Sequence, residues 1–233
     1  MDVLIISSLR AVRSLFTPGM FSVFILSILV TIASLIGFIT FSSMFFGWLS
    51  AHMENHPTLA HLLPWIGSIG ATLIAWILFP GIMPVIVNFF DDRIARLIER
   101  HDYPTVIQRI PSFWPEFLHD MRFSAMAIGL NILVLPLYLL PVINLFLFYV
   151  LNGYLLGREF FSMAARRHLS IADTEILRKR YARTVMTAGI ILTVLATVPV
   201  INLFAPFWGI AVMVHLYHGL ARTPRVEILL PNQ

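Results

Sequence analysis

Residues 21–48 read FSVFILSILVTIASLIGFITFSSMFFGW and contain no charged side chain. About 20 apolar residues are enough for an α-helix to cross roughly 30 Å of hydrocarbon. The rest of the chain has the same character, since 58% of its 233 residues are hydrophobic, 12% are charged and the mean hydropathy is +0.85. A soluble domain carries about twice that charged fraction. The composition therefore predicts an all-α integral membrane protein and excludes a soluble fold.

Apolar and charged blocks alternate on both sides of this run. Residues 1–17 mix apolar side chains with Ser and Arg, which predicts a helix lying in the membrane interface. The alternative is that they form the cytoplasmic end of the first span, at 21–48. A second span is predicted at 65–90, and a charged cytoplasmic segment at 91–122. We treat residues 1–233 as a single membrane domain.

Two longer uncharged blocks, 123–157 and 184–221, carry the same hexapeptide near their middles. The two copies are Pro141-Val142-Ile143-Asn144-Leu145-Phe146 and Pro199-Val200-Ile201-Asn202-Leu203-Phe204. Proline ends a helix and favours a turn, and a nearby asparagine can hydrogen-bond the exposed backbone. We interpret each block as a helical hairpin that turns at Pro141 and Asn144, or at Pro199 and Asn202. An arm of about 15 residues spans only about 22 Å, so the hairpins penetrate halfway or cross a locally thinned bilayer. A chance repeat is the alternative.

All of the basic residues lie in segments that can be on the same side of the membrane. Of 16 Lys and Arg, two precede the first span, five lie between Arg93 and Arg122, seven lie between Arg158 and Arg183, and two are in the tail. If both hairpins return to their starting face, the positive-inside rule places both termini in the cytoplasm. The net charge of +4 then reflects topology and does not indicate a nucleic-acid partner.

A stripe of arginines follows the second span. Arg93, Arg96 and Arg100 are spaced to share one helix face, with Glu99 beside them. Guanidinium groups match the geometry of oxyanions, so the stripe is a candidate substrate-binding region. The alternative is a solvated helix face with internal ion pairs and lipid-phosphate contacts. For Arg158-Glu159 we expect a structural ion pair, with a pore-lining role as the alternative.

Signatures of catalysis are missing from the sequence. It has no cysteine, HExxH, G-x-S-x-G or P-loop motif, and no paired carboxylates in its apolar segments. We expect no enzyme activity and no cofactor. His52, His56 and His61 partly match metal-ligand spacing, but the proline after His56 and the absence of suitable carboxylates disfavour a metal site. His215 and His218 are expected to be interfacial.

Four motifs in the chain occur in an order typical of one family of membrane proteins. They are Pro18-Gly19 at the first span; Asp92-Arg93-Ile94-Ala95 followed by Glu99; Gly153-Tyr154-Leu155-Leu156-Gly157-Arg158-Glu159-Phe160-Phe161 leading to Ala165-Arg166-Arg167; and the repeated Pro-Val-Ile-Asn-Leu. In these motifs, which cover nearly its whole length, the chain resembles the CysZ / EI24 family.

The resemblance implies two spanning helices, two pairs of hemi-penetrating helices and assembly into oligomers. It also implies sulfate permease activity that feeds assimilation into cysteine. In the family, a Gly-Leu-Arg loop before the first span binds sulfate. The matching residues here are Gly19, Met20 and Phe21, so the arginine is absent. An anion at this loop would therefore use backbone N–H groups together with Arg10 or Arg13.

We therefore expect a sulfate or sulfite permease or channel in the bacterial inner membrane, acting as a homo-oligomer. Its substrate-binding residues are expected among Gly19, Met20, Phe21, Arg93, Arg96, Glu99 and Arg100. Its partners are the oxyanion and membrane lipids. The alternative is a structural or scaffolding membrane protein of the same fold without transport activity.

Overall fold

The computed structural model describes residues 2–52, 57–106, 109 and 112–222, and the regular structure within them is entirely helical. In chain order the helices are α1 (Asp2–Leu15), α2 (Pro18–Ala51), α3 (Pro57–Asn88), α4 (Asp91–Asp102), α5 (Phe113–Val134), α6 (Pro141–Arg166), α7 (Ile171–Arg180), α8 (Ala182–Thr197), α9 (Pro199–Asn202) and α10 (Ala205–Ala221). Three segments are long and apolar enough to span a membrane: Pro18–Ala51, His61–Phe79 and Phe113–Leu139. The predicted all-α membrane fold is confirmed.

Several hydroxyl groups of the uncharged helix α2 are hydrogen-bonded within the helix itself. Ser27, Thr31 and Ser34 donate hydrogen bonds to the carbonyl oxygen four residues earlier, over 2.7–2.9 Å. Because hydrocarbon offers no partner for polar groups, such internal bonds let hydroxyl side chains lie in a spanning helix. The helix extends beyond the predicted 21–48 at both ends.

Contacts divide the chain into two compact units, one of Phe21–Phe90 and one of Met1–Met20 with Asp91–Gln233. In the first unit, the hydroxyl oxygens of Ser43 and Ser68 lie 3.0 Å apart and join α2 to α3. Gly67 lies so close to Phe46 that an added Cβ would be 2.8 Å from the Phe46 Cβ and would overlap its ring. Small residues thus bring these two apolar helices together, as is usual in membranes.

Helix α10 forms the centre of the second unit. Every residue from Ala205 to His218 is buried, and the helix is apolar around almost its whole circumference. Helix α1 packs along it through the residues Leu4, Ser7, Ala11 and Ser14, whose spacing of three or four places them on one face. The opposite face of α1 exposes apolar side chains such as Ile5 and Leu9, as an interfacial helix requires.

Helices α6 and α8 approach each other closely at three glycines. A Cβ on Gly189 would overlap the carbonyl oxygen of Gly153 and lie 2.7 Å from the Cα of Gly157. A Cβ on Gly157 would lie 2.6 Å from the carbonyl oxygen of Val185. These neighbours are backbone atoms, so side-chain rotation cannot relieve the overlap. The α6–α8 contact therefore depends on the absence of side chains at these positions.

The two copies of the hexapeptide begin with the same backbone geometry, but the helix continues through Phe146 in the first copy and ends at Asn202 in the second. Leu140 and Val198 are extended, with φ and ψ of −97° and 106° and of −92° and 115°, and the proline that follows each one begins a helix. The N–H groups of Asn144 and Asn202 donate to the carbonyl oxygens of Leu140 and Val198 at 2.8 and 2.7 Å. Each helix thus breaks before the proline, because proline suits the first position of a helix, where its missing N–H is not needed.

Helices α5 and α6 form the first hairpin, with paired side chains at matching depths. Arg166 near the end of α6 contacts Glu116 near the start of α5, at 2.9 Å. Further along, the Arg158 guanidinium lies 3.2 Å from the sulfur of Met126 and over the ring of Phe123. The expected Arg158-Glu159 ion pair is therefore wrong, since adjacent residues on a helix point in different directions. The first arm begins at Phe113 and is longer than predicted.

Candidate anion site

A basic cavity of about 650 Å³ opens between α1, the start of α2 and the end of α4. Three arginines line it: Arg10, Arg13 and Arg222. Among the described residues of the lining, Asp102 supplies the one carboxylate, so positive charge is in excess there. Guanidinium groups around a cavity of this size can surround a small oxyanion with forked donors.

Asp102 is already engaged by neighbours in the cavity wall. One carboxylate oxygen lies 2.8 Å from His101 Nδ1, and the other accepts from the Ser14 hydroxyl at 3.5 Å. The Arg222 guanidinium instead lies over the ring of Tyr103, 5.3 Å from its centre. A cation over an aromatic face keeps its N–H groups at the ring edge available to other acceptors.

Helix α2 begins in the wall of the cavity. Pro18 lines the cavity at the first helical position, and the Thr17 hydroxyl donates back to the Ser14 carbonyl at 2.8 Å. The first N–H groups of any helix lack partners within the helix and carry partial positive charge. These donors and the arginines of α1 both favour an anion.

Gly19 lets the start of α2 lie close to α4. A Cβ at this position would be 3.1 Å from Leu97 Cδ2, which is tighter than ordinary van der Waals contact. Met20 is buried, with 1% of its surface exposed, whereas Phe21 is 59% exposed. Of the predicted loop residues, Gly19 therefore has a packing role beside the cavity, and the side chain of Met20 contributes to the core.

The predicted arginine stripe lies outside the lining of the basic cavity. Arg93, Arg96 and Arg100 are exposed on α4, and Arg96 pairs with Asp92 at 3.6 Å. Glu99 faces the opposite way and is only 4% exposed. The structure thus separates Glu99 from the arginines with which the sequence analysis grouped it. A binding role for the stripe stays a prediction.

Glu99 is held in a buried charge network. Arg167 donates to it from Nε at 3.2 Å and from Nη2 at 3.1 Å, and His168 Nε2 lies 2.8 Å away. Burial alone would raise the pKa of Glu99, but the bonds from His168 and Arg167 outweigh it and hold that pKa well below its usual range. Glu99 is therefore ionised at neutral pH, and its charge is matched by Arg167 within the protein.

A polar chain lies beneath the basic cavity. His215 is 1% exposed; its Nε2 lies 3.0 Å from the Ser14 hydroxyl and its Nδ1 lies 2.8 Å from the Tyr103 hydroxyl. His215 and His218 are both buried, because α1 and α4 pack on α10, and their expected position at the membrane interface stays a prediction. Ser14, Tyr103 and His215 were missed by sequence reasoning. The heptad-like spacing of Leu4, Ser7, Ala11 and Ser14 would have been a signal for the α1 face.

Two smaller cavities, of about 430 and 490 Å³, lie along α5 and α6. Arginines and carboxylates both line them, and Arg166 contacts Glu116 and Asp120 at 2.9 and 2.7 Å. Their positive charge is already neutralised within the protein. The cavity beside α1 is therefore the better candidate for binding an anion.

These features define the class of protein. It is a multi-pass α-helical membrane protein with an arginine-lined cavity, which is the arrangement expected of a protein that handles anions. The chain belongs to the EI24 family, described as sulfate transporter CysZ/etoposide-induced protein 2.4, whose family model matches residues 7–206. The resemblance seen in the sequence is thereby confirmed, and the family indicates a transporter-like function rather than an enzyme. No curated protein and no solved structure gave a significant match.

Proposed function

We propose that this protein is a sulfate or sulfite permease and that the oxyanion binds in the cavity beside α1. The observation that supports this most directly is the convergence of Arg10, Arg13 and Arg222 on the first turn of α2. The family arginine absent at Phe21 is then replaced by arginines from other segments of the chain. A tetrahedral dianion would accept from guanidinium groups and from backbone N–H groups together.

We further propose that the anion moves down its gradient across the bacterial inner membrane and supplies sulfur for cysteine synthesis. The sequence holds no P-loop, so this chain would not hydrolyse ATP itself. Both termini are proposed to be cytoplasmic, which would place the basic cavity on the cytoplasmic face. An oligomer would let short hairpins surround a shared aqueous route, which half-penetrating helices in a monomer form poorly.

The test is uptake of radiolabelled sulfate into proteoliposomes that contain the purified protein, with sulfite and chloride as competitors. Saturable uptake that sulfite blocks supports the proposal. If folded protein gives no more uptake than empty liposomes, the chain has the family fold without transport, and the scaffolding alternative becomes the leading one.

A pair of variants tests the cavity itself. Arg10→Gln with Arg13→Gln removes two charges from the lining, and the matched control Arg180→Gln removes an exposed charge from α7, outside that lining. A charge-assisted hydrogen bond contributes about 1.5–3 kcal/mol when desolvated and less when exposed. We expect the double variant to raise the half-saturating sulfate concentration about tenfold or more, and Arg180→Gln to leave it unchanged. Equal values in both proteins would remove the cavity from the proposal.

A further inference from the structure

Three metal-ligating side chains from separate segments meet inside the unit that contains α10. Glu99 comes from α4, His168 from the connection between α6 and α7, and His218 from α10. One donor atom from each residue lies within 4.8 Å of the other two. Two imidazoles and a carboxylate are a common ligand set for zinc and for related first-row transition ions.

The distances around one carboxylate oxygen already approach those of a coordination sphere. Glu99 Oε1 is 2.8 Å from His168 Nε2 and 3.7 Å from His218 Nε2. Ligand atoms bound at 2.0–2.1 Å around a tetrahedral ion are about 3.3 Å apart. The two observed distances lie on either side of that value, and the two imidazole donor atoms lie within 4.8 Å of each other, so the three side chains would draw together when an ion binds.

His218 supplies the observation that points to a ligand. Its residue surface is 4% exposed, and Nε2 has no hydrogen-bond partner among the described residues. A buried polar atom without a partner destabilises a fold, and such atoms are rare. His215, one turn earlier on the same helix, is equally buried, yet each of its ring nitrogens contacts a hydroxyl group. The unsatisfied nitrogen is therefore particular to His218.

Arg167 contacts both oxygens of the Glu99 carboxylate, since its Nε lies 3.2 Å from Oε1 and 3.3 Å from Oε2, so a metal on Oε1 would replace the first of these contacts. Its Nη2 donates to Glu99 Oε2 at 3.1 Å, and the same guanidinium also contacts Asp92. With neutral imidazoles, the charges of Glu99, Asp92, Arg96 and Arg167 balance, so a divalent cation would be held by its ligand atoms and not by an excess of negative charge. A metal on Oε1 with Arg167 retained on Oε2 would match the usual pattern in which a ligating carboxylate is itself hydrogen-bonded.

Aromatic rings fix the planes of both imidazoles. Tyr217 stacks on His168 with the ring centres 5.1 Å apart and the planes inclined by 5°. Tyr103 stacks on His218 with the centres 3.9 Å apart and the planes inclined by 23°. Ligands held in place before binding lose little conformational freedom when the ion arrives.

We propose that Glu99, His168 and His218 form a binding site for a divalent first-row transition ion, with Zn²⁺ the best match to the ligand set. The ion would fasten α4, the α6–α7 connection and α10 together, and a water molecule would take its fourth position. Its role is structural, because the site lies among packed helices of one compact unit.

The test uses the full chain in detergent micelles, with any affinity tag removed and bound metal stripped by a chelator. Zn²⁺ affinity is measured by competition with a chromophoric chelator, and coordination by the visible spectrum of bound Co²⁺. We expect one ion per chain, a four-coordinate Co²⁺ spectrum and a higher thermal midpoint with Zn²⁺. The variants His168→Gln and His218→Gln should lose at least about 100-fold in affinity, since removing an outer-shell partner alone costs 10–100-fold.

The matched control is His61→Gln, which removes an exposed histidine of α3 and should leave the affinity unchanged. Zinc binding that is equally lost in His61→Gln, or that survives His218→Gln, would overturn the proposal. If His168→Gln and His218→Gln both fail to fold, the proposal is tested by metal binding to the wild-type protein. A six-coordinate Co²⁺ spectrum, or less than one tenth of an ion bound per chain, would then refute the site.

Discussion

Replacing Gly189 by alanine should separate α6 from α8 and destabilise the protein. The added Cβ would overlap the carbonyl oxygen of Gly153 and lie 2.7 Å from both the Cα and the N of Gly157. Ordinary van der Waals contact begins at 3.4 Å, so the two backbones must move apart by about 0.7 Å or more. A radial gap of 0.5–1 Å removes a quarter to a half of each dispersion contact along the interface. Overpacking of this kind costs about 1–3 kcal/mol, and we expect the upper end because no side chain can yield.

The measurement is the free energy of unfolding in detergent micelles, compared with that of Gly129→Ala. Gly129 lies within α5, and nothing lies within 4 Å of a Cβ added there. The control should be neutral or more stable than the wild type by up to about 1 kcal/mol, because alanine favours helix more than glycine does. If Gly189→Ala is as stable as Gly129→Ala, the close α6–α8 contact does not contribute to the fold and the argument from backbone overlap fails.

Three further outcomes can be checked on the same preparations. Arg96→Glu or Arg100→Glu should reduce sulfate uptake a few-fold at low salt and hardly at all at high salt. The reason is that exposed charges attract the anion over a distance and that salt screens this attraction. A loss of uptake that persists at high salt would instead indicate that the arginine stripe binds the anion directly. The hydrogen bond from Arg178 lowers the pKa of Glu175 in the folded protein. The ionised Glu175 therefore stabilises the fold fully above the pKa of about 4.3 that it has in the unfolded chain. This stabilisation is lost as the pH falls through the pKa of Glu175 in the folded protein. The thermal midpoint of Glu175→Gln should therefore fall less on acidification than that of the wild type, and parallel acid profiles would refute this. Ser170→Ala should cost about 1 kcal/mol of unfolding free energy, since Ser170 caps α7 by accepting from the Asp173 N–H at 3.1 Å; an unchanged value would mean that the cap is not used.

The membrane fold could be predicted from the sequence because its main signals are local. The uncharged run beginning at Phe21 determines the first span without reference to any other segment. The hexapeptide repeat located both helix breaks, at Leu140 and Val198. The length of the first arm was underestimated because the chain from Phe113 to Arg122 is mixed in character, and its charges are matched only by partners on α6 such as Arg166.

The candidate site could be predicted only in part, because its members come from distant segments. The sequence indicated that an anion near Gly19 would need Arg10 or Arg13, and the structure places both of these arginines in one cavity. The sequence contains no signal that places Tyr103 or Arg222 in this cavity, because these contacts arise only when α4 and α10 pack together. Glu99 was grouped with its helix neighbours, although its burial depends on residues about 70 positions away along the chain.

Tyr103 connects the basic cavity to the cluster around Glu99. Its hydroxyl contacts His215, which in turn contacts Ser14 in the cavity lining, and its ring stacks on His218. A residue that contacts both sites transmits any constraint on its position from one to the other. An ion held by His218 would fix the Tyr103 ring, and with it the surface over which Arg222 lies. Coupling between two binding sites is reciprocal, so any change that a bound metal makes in anion affinity would be matched by an equal change that the anion makes in metal affinity.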